Sequence, residues 1–129
     1  MISNKKFYFI ITGFILIVII SHIIKMNDDK KKIESTREEI WAIFSCIEHY
    51  YKMNKKLPEK FEELKIIVLD VNVDFIDPWG NRFLYQKLLE GNKFKIISCG
   101  PNGKFDEKKY NDDLIQFYDF DKYNPLLSQ

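Results

Sequence analysis

Four oxygen-bearing side chains lie close together in the sequence that follows Gly100. Calcium prefers hard oxygen ligands and takes roughly six to eight of them, often from a flexible loop. Gly100 and Gly103 allow the backbone to turn its carbonyl oxygens toward such an ion. The sequence therefore predicts a calcium site, and the competing interpretation is a solvated acidic loop whose aspartates only cap turns. The four side chains are those of Asn102, Asp106, Asp112 and Asp113.

A second stretch of interest begins at Asp77 and contains a proline, a tryptophan and a glycine. Pro78 fixes its own φ angle, and Gly80 adopts positive φ at little cost. The side chains of Asp77 and Asn81 are suited to hydrogen bonds with nearby backbone amides. Trp79 is expected to cover the helix and the sheet with a large apolar ring. The stretch predicts a structural turn, not a catalytic site.

Two cysteines fall in different predicted elements, Cys46 in a helix and Cys99 at the end of a strand. Outside the cytoplasm such a pair can form a disulfide. Two small buried hydrophobic side chains are an equally good interpretation. The sequence leaves both open.

The residue types do not indicate an enzyme or a nucleic-acid-binding protein. His22 and His49 are isolated and have no zinc-ligand spacing. Ser98 has no histidine placed to activate it, and no phosphate loop or dinucleotide fingerprint occurs. The 20 Lys and Arg against 19 Asp and Glu give a net charge of +1, whereas nucleic-acid binding usually needs a basic face. We expect neither an enzyme nor a nucleic-acid partner.

An apolar stretch without charged residues covers residues 7–24, behind a short basic N-terminus at 1–6. As a helix it spans about 27 Å, close to the hydrocarbon thickness of a bilayer. A cleaved secretory signal is the alternative, since Lys5 and Lys6 form a basic start, but no small-residue cleavage site follows. A single transmembrane anchor is therefore the favoured interpretation.

Residues 25–54 are predicted to form an amphipathic helical segment that continues into the head. After the polar residues 27–29, its apolar periodicity extends from about residue 31 to residue 53. No proline or glycine interrupts residues 14–54, which allows this helix to continue the membrane helix. Its apolar residues recur at spacings of three, four and seven. They are Ile33, Ile40, Trp41, Phe44, Ile47 and Tyr51.

The remaining region, residues 55–129, predicts a short helical turn with Pro58 at its first position and then β-strands. Strands are predicted at 82–89, 93–98 and 114–120, the first two joined by a hairpin turn. The simplest arrangement is an α+β fold in which the long N-terminal helix packs on a small antiparallel sheet of about three strands.

The stretch that begins at Asp77 and the acidic loop that follows Ser98, in this order, resemble the C-terminal region of the G-type (major) pseudopilins of bacterial type II secretion, within the type IV pilin-like superfamily. In that family a DPWGNxxxY segment precedes a sheet, and a GPDG…DDI loop binds calcium. The residues that match the first motif are Asp77, Pro78, Trp79, Gly80, Asn81 and Tyr85. The residues that match the second are Ser98, Gly100, Pro101, Gly103, Asp112 and Asp113.

The resemblance implies a ligand set for calcium. The backbone carbonyls would be those of Cys99 and Lys104, and the side chains those of Asn102 and Asp112. Because Asn102 carries no charge, Asp106 or Asp113 is expected to compensate.

The resemblance also implies processing of the N-terminus. Gly13 and Phe14 match the residues at which a prepilin peptidase cuts, and Val18 stands where the family has a glutamate. An ordinary glycine in a transmembrane helix is the alternative interpretation of Gly13.

A membrane-anchored structural subunit is the function that the resemblance implies, assembling with its own copies or other pseudopilins into a short filament for protein secretion. Its partners would include the inner-membrane secretion platform, and its head would face the periplasm or cell exterior from a single-pass inner-membrane anchor. A count of flanking lysines predicts the opposite orientation. The alternative function is a calcium-stabilised, membrane-tethered binding module that does not polymerise.

Overall fold

A computed structural model of the chain describes residues 4–66, 75–105 and 113–122. One helix, α1, runs from Asn4 to Asn54, and a 3-10 helix follows at Phe61–Ile66. Three strands complete the fold: β1 (Leu84–Lys87), β2 (Lys93–Ser98) and β3 (Leu114–Asp119), with a second 3-10 helix at Gly100–Asn102 between β2 and β3. The α+β class is confirmed, with the long helix packed on a three-stranded antiparallel sheet. The chain divides into two compact units, Met1–Glu34 and Ser35–Gln129.

The first unit consists of the exposed, apolar part of α1. An 18-residue window of this helix has a mean hydropathy of 2.6, and none of it is buried within the chain. By length and composition it is the one helix of the described residues suited to crossing a membrane. The helix continues without interruption through the polar residues 27–29, as the absence of proline and glycine from residues 14–54 allows. Asp28 and Lys32 form an ion pair one turn apart, at 3.6 Å, and such pairs support helical structure.

The second half of α1 packs on the sheet through one face. Ile40, Ile43, Phe44 and Ile47 are all at most 5% exposed, and their three- and four-residue spacing places them on one side of the helix. Trp41 was predicted on this face, but it is 61% exposed. A residue directly after Ile40 lies about 100° around the helix from it, which puts Trp41 beyond the edge of the buried stripe.

The end of α1 is closed by two local hydrogen bonds. The Asn54 side-chain amide donates to the carbonyl of Tyr50 (3.0 Å). The N–H of Lys55, a residue with a φ of 57°, donates to the carbonyl of Tyr51 (2.8 Å). Pro58 does not start a helical turn as predicted, since the next helix begins at Phe61. Its carbonyl instead accepts a hydrogen bond from the Tyr85 hydroxyl (2.8 Å), which ties the segment to β1.

The sheet has the order β1-β2-β3, and both pairs are antiparallel. Strand β2 has the predicted limits, and β3 ends one residue before the predicted 120. Strand β1 is shorter than the predicted 82–89. The first two residues of the predicted strand bond elsewhere. Arg82 forms an isolated bridge with Ile76, and the Phe83 N–H donates to the Phe75 carbonyl (2.9 Å).

Aromatic rings fill the space between α1 and the sheet. Phe94 of β2 is fully buried, and its ring centroid lies 5.0 Å from Tyr118 and 6.4 Å from Phe44. Phe44 stacks on Tyr118 at 4.3 Å. Burial raises the pKa of Tyr118 to about 12. The core is therefore centred on Phe94, which pairs with Tyr118 near one end of the β2–β3 ladder, and the acidic loop leaves from the other end, where Ser98 pairs with Leu114.

Candidate functional site

The turn at Asp77 is closed by its own side chain. Asp77 is 3% exposed, and its Oδ1 accepts hydrogen bonds from the N–H groups of Trp79 (3.1 Å) and Asn81 (2.8 Å). The Asp77 carbonyl accepts from the N–H of Gly80 (2.8 Å), and Gly80 has the positive φ, 88°, that the sequence predicted. Trp79 is half-buried, and it does not belong to the buried core cluster.

The second oxygen of Asp77 connects this turn to the end of β2. Ser98 is fully buried, and its hydroxyl donates to Asp77 Oδ2 at 2.7 Å. The same hydroxyl oxygen accepts the N–H of Gly100 at 3.2 Å. Buried carboxylates are tolerated when hydrogen bonds replace the lost water, and Asp77 accepts three such bonds. The turn and the start of the acidic loop thus share one buried polar network.

Asn81 makes a second connection between the same two segments. Its Nδ2 donates to the Gly100 carbonyl at 2.7 Å, and this carbonyl also accepts the N–H of Gly103 at 3.3 Å. Gly103 has φ of 65°, and a Cβ at this position would lie 2.7 Å from Asn81 Oδ1. The Asn81 amide therefore lies directly against the turn formed by Gly100–Gly103, and a side chain at position 103 would both strain the positive φ and require the Asn81 amide to move.

The structure describes four of the six predicted metal ligands. Asp106 and Asp112 lie outside the described residues. Cys99 is buried, whereas Asn102 and Lys104 are exposed. These last two are joined by a hydrogen bond from the Lys104 N–H to Asn102 Oδ1 at 2.6 Å.

Asp113 is half-buried at the far end of the loop, where β3 begins. Within the described ranges, no group of three or more His, Cys, Asp and Glu side chains is placed to hold a metal ion. The oxygen donors that are described, the Asn102 amide and the Asp113 carboxylate, are hard ligands. Their chemistry fits calcium and does not fit a soft metal.

Phe105, at the exit of the turn, contacts a lysine of β2. The ammonium of Lys95 lies 5.3 Å from the centroid of the Phe105 ring, within the range of a cation–π contact. Lys95 is only 9% exposed. The sequence analysis missed both this contact and the role of Asn81. The available signal was an aromatic residue placed directly after a glycine-rich turn in an otherwise polar loop.

Glu39 of α1 lies near enough to Asp77 for the two charges to interact. Burial is the main factor that raises the pKa of Glu39. The negative charges of Asp77 and Glu38 add to this increase, and a hydrogen bond from Ser35 opposes it. Ser35 Oγ donates to Glu39 Oε1 at 3.4 Å, while the buried Oε2 has no hydrogen-bond partner among the residues that the structure describes. The ionised form of Glu39 is therefore poorly accommodated.

The two cysteines are buried, each 5% exposed, and neither forms a disulfide within the described part of the chain. The structure thus agrees with the interpretation as small buried hydrophobic residues and contains no disulfide between Cys46 and Cys99. Burial raises the pKa of the Cys46 thiol, which keeps it protonated and unreactive at neutral pH.

The predicted processing residues lie inside α1. A Cβ on Gly13 would meet no atom within 4 Å, and Phe14 is 68% exposed. Cleavage between them stays a prediction, as does the consequence of Val18, which is 50% exposed on the same helix.

A single helix suited to membrane insertion, continuing into a face that packs on a three-stranded antiparallel sheet, is consistent with pilin-like proteins. The family model described as Type II secretion system (T2SS), protein G, matches residues 23–117, and the chain belongs to this family. This is a structural pseudopilin family of the secretion machine and not an enzyme family. No curated protein and no solved structure matches the chain.

Proposed function

We propose that the chain is a membrane-anchored pseudopilin subunit that assembles through its N-terminal helix into a short filament for protein secretion. The other subunits are further copies of the chain or other pseudopilins, and assembly takes place on the inner-membrane secretion platform. The C-terminal head faces the periplasm or cell exterior. Membership of the family supports the class of function, and the surface of α1 supports the mode of assembly.

The observation that carries this proposal is the unburied apolar part of α1. None of its most hydrophobic window contacts the rest of the chain closely enough to be buried. Individual side chains such as Phe9 (81% exposed) and Ile17 (66%) expose most of their surface. A continuous apolar surface of this kind needs lipid or other helices to cover it. A subunit that moves between a membrane and a helical filament meets both requirements.

Calcium is the metal that we propose for the acidic loop. Bound there, it would neutralise the carboxylates and hold the two ends of the loop together. The residues proposed to hold it include two that contribute backbone carbonyls and four that contribute side chains. They are Cys99 and Lys104 for the carbonyls, and Asn102, Asp106, Asp112 and Asp113 for the side chains.

Photo-crosslinking in the native membrane tests the assembly. A photoreactive phenylalanine analogue replaces Ile17, on the exposed apolar surface of α1, in one variant and Leu89, which is fully exposed in the head, in a matched control. We expect the Ile17 variant to give a ladder of adducts in steps of one subunit mass, and the Leu89 variant to give few. An Ile17 variant that stays monomeric after illumination supports the non-polymerising binding module instead.

The intact mass of the protein from its native membrane tests the processing. A new N-terminus at Phe14 is the expected result, because the residues at positions 13 and 14 match the family's cleavage point. A full-length mass would mean a permanent anchor. That result would favour the tethered module, in agreement with the missing carboxylate at Val18.

A further inference from the structure

We propose that Asn81 is a positioning residue for the acidic loop. Together with Asp77 and Ser98, it fixes the turn Gly100–Gly103. The inference rests on the proposed calcium site for its biological purpose, but the contacts that carry it involve protein atoms only. The Asp77 turn would thus act as the template on which the loop begins.

The first step is the buried bond between Asp77 and Ser98. Asp77 Oδ1 is occupied by two backbone amides of its own turn, and Oδ2 accepts the Ser98 hydroxyl at 2.7 Å. The Asp77 carboxylate orients the hydroxyl hydrogen of Ser98 toward itself. A lone pair on the Ser98 oxygen is thereby left to accept the Gly100 N–H, at 3.2 Å. The position of Asp77 is in this way transmitted to the first residue of the loop turn.

The second step is the pair of contacts made by the Asn81 amide. Its nitrogen donates to the Gly100 carbonyl at 2.7 Å, and its oxygen faces the Cα of Gly103 so closely that a Cβ would clash at 2.7 Å. One planar side chain therefore contacts both ends of the turn. Asn81 is itself held in place, since its N–H donates to Asp77 Oδ1 at 2.8 Å and its carbonyl accepts the Asp77 N–H at 2.7 Å.

The third step concerns the residues that leave the turn. Lys104 donates its N–H to Asn102 Oδ1, and the Phe105 ring lies 5.3 Å from the Lys95 ammonium on β2. The first part of the loop is thus fixed at its entry, along the turn and at its exit. A loop that is already ordered loses less conformational entropy when it binds a ligand, so this arrangement favours tight binding of a cation.

A double-mutant cycle between Asn81 and Gly103 tests the contact. The full chain is unfolded with urea in detergent and in excess chelator, as Asn81→Ala, as Gly103→Ala and as the double variant. Gly103→Ala introduces both an unfavourable φ and a clash with Asn81, and only the φ cost remains once the Asn81 side chain is removed. We expect the double variant to be more stable than the two single substitutions together predict. Its folding equilibrium constant should exceed the value obtained by multiplying the two single-variant changes, by a factor of at least about three.

The matched control pairs Gly103→Ala with Asn92→Ala. The Asn92 amide makes a comparable bond, to Asp121 Oδ1 at 2.9 Å, and Asn92 lies in the turn between β1 and β2, outside the contacts of Gly103. This pair should multiply within error. A cycle between Asn81 and Gly103 that also multiplies would overturn the proposal. Should Gly103→Ala fail to fold, amide exchange decides: exchange of the Gly103 N–H should be at least tenfold faster in Asn81→Ala than in Asn92→Ala, and equal rates overturn the proposal.

A calcium titration then separates this inference from the proposed calcium site. For a wild-type chain that binds calcium, we expect Asn81→Ala to weaken the Kd about tenfold and Asn92→Ala to leave it unchanged. Equal Kd values for Asn81→Ala and the wild type would contradict the positioning role. A wild-type chain that binds no calcium would refute the calcium site alone, and the cycle measured in chelator would still decide whether Asn81 fixes the turn.

Discussion

Asp77 is a buried carboxylate that three hydrogen bonds make tolerable. A single substitution, Ser98→Ala, removes the bond from Ser98 together with the bond that the same hydroxyl accepts from the Gly100 N–H. In Ser98→Ala the Asp77 Oδ2 loses its donor at 2.7 Å while remaining buried. We expect the free energy of unfolding to fall by about 1–3 kcal/mol, the usual cost of an unsatisfied buried acceptor.

Urea denaturation of the full chain in detergent measures this effect. Ser45→Ala is the matched control, because the Ser45 hydroxyl is exposed and only bonds back to the Trp41 carbonyl at 3.0 Å. Its effect should lie within about 0.5 kcal/mol of zero. Equal effects of the two substitutions would mean that the Ser98 bond does not stabilise the fold.

Glu39 predicts a dependence of stability on pH. Burial raises its pKa in the folded chain above the ordinary value of 4.5. Below that value the carboxyl is protonated in both states, and as the pH rises through the folded pKa the native state pays to ionise it. Glu39→Gln removes this charge, so we expect a small gain in stability at neutral pH, limited because the residue is partly exposed.

Denaturation of the wild type and Glu39→Gln at several pH values tests this sign. The difference should disappear below pH 4.5. Glu38→Gln, an exposed neighbour on the same helix, is the control and should show a smaller gain at neutral pH. A Glu39→Gln variant that is less stable than the wild type at neutral pH would contradict the assignment.

At the scale of elements, β2 carries the largest share of the packing. Phe94 is fully buried among Phe44, Tyr85 and Tyr118, and Phe94→Ala should lower the free energy of unfolding by about 3–5 kcal/mol. Phe117→Ala on the neighbouring strand is the control, since Phe117 is 59% exposed. Comparable losses for the two variants would place the core elsewhere than between α1 and β2.

The elements differ in how well the sequence predicted them, for physical reasons. Strand β2 was predicted with its observed limits, because Gly91 and Gly100 lie close to the two ends of a run that contains the strand-forming residues Phe94, Ile96 and Ile97. Strand β1 was overextended, because Arg82 and Phe83 bond across the Asp77 turn to Ile76 and Phe75 and do not extend the ladder with β2. Trp41 was misplaced because the apolar spacing gives the average direction of a helix face and not its width.

The candidate site shows the same division. Local turn chemistry predicted the bonds of Asp77 within its own turn and the positive φ of Gly80. The contact of Asn81 with Gly100 joins residues 19 apart in the sequence, and it exists only because the strands between them pair in one register. Tertiary contacts of this kind depend on the completed fold, and the sequence gives no separate signal for them.

At the scale of the whole molecule, calcium should raise the thermal stability of the chain. A ligand that binds only the folded state stabilises it by mass action, by about 2.7 kcal/mol when its concentration is one hundred times the Kd. We expect the melting temperature in detergent to be higher with calcium than with chelator. The shift should vanish in Asp112→Ala, which removes a proposed ligand, and a shift that persists in this variant would contradict the proposed ligand set.

The placement of the two tryptophans gives the chain an intrinsic optical reporter. Trp41 is 61% exposed on α1, whereas Trp79 is half-buried inside the turn that contacts the acidic loop. Trp41→Phe leaves a single indole fluorophore, because the sequence contains no other tryptophan. Emission from this variant would follow the environment of the Asp77 turn in real time, during subunit assembly as well as during cation exchange, without an attached dye.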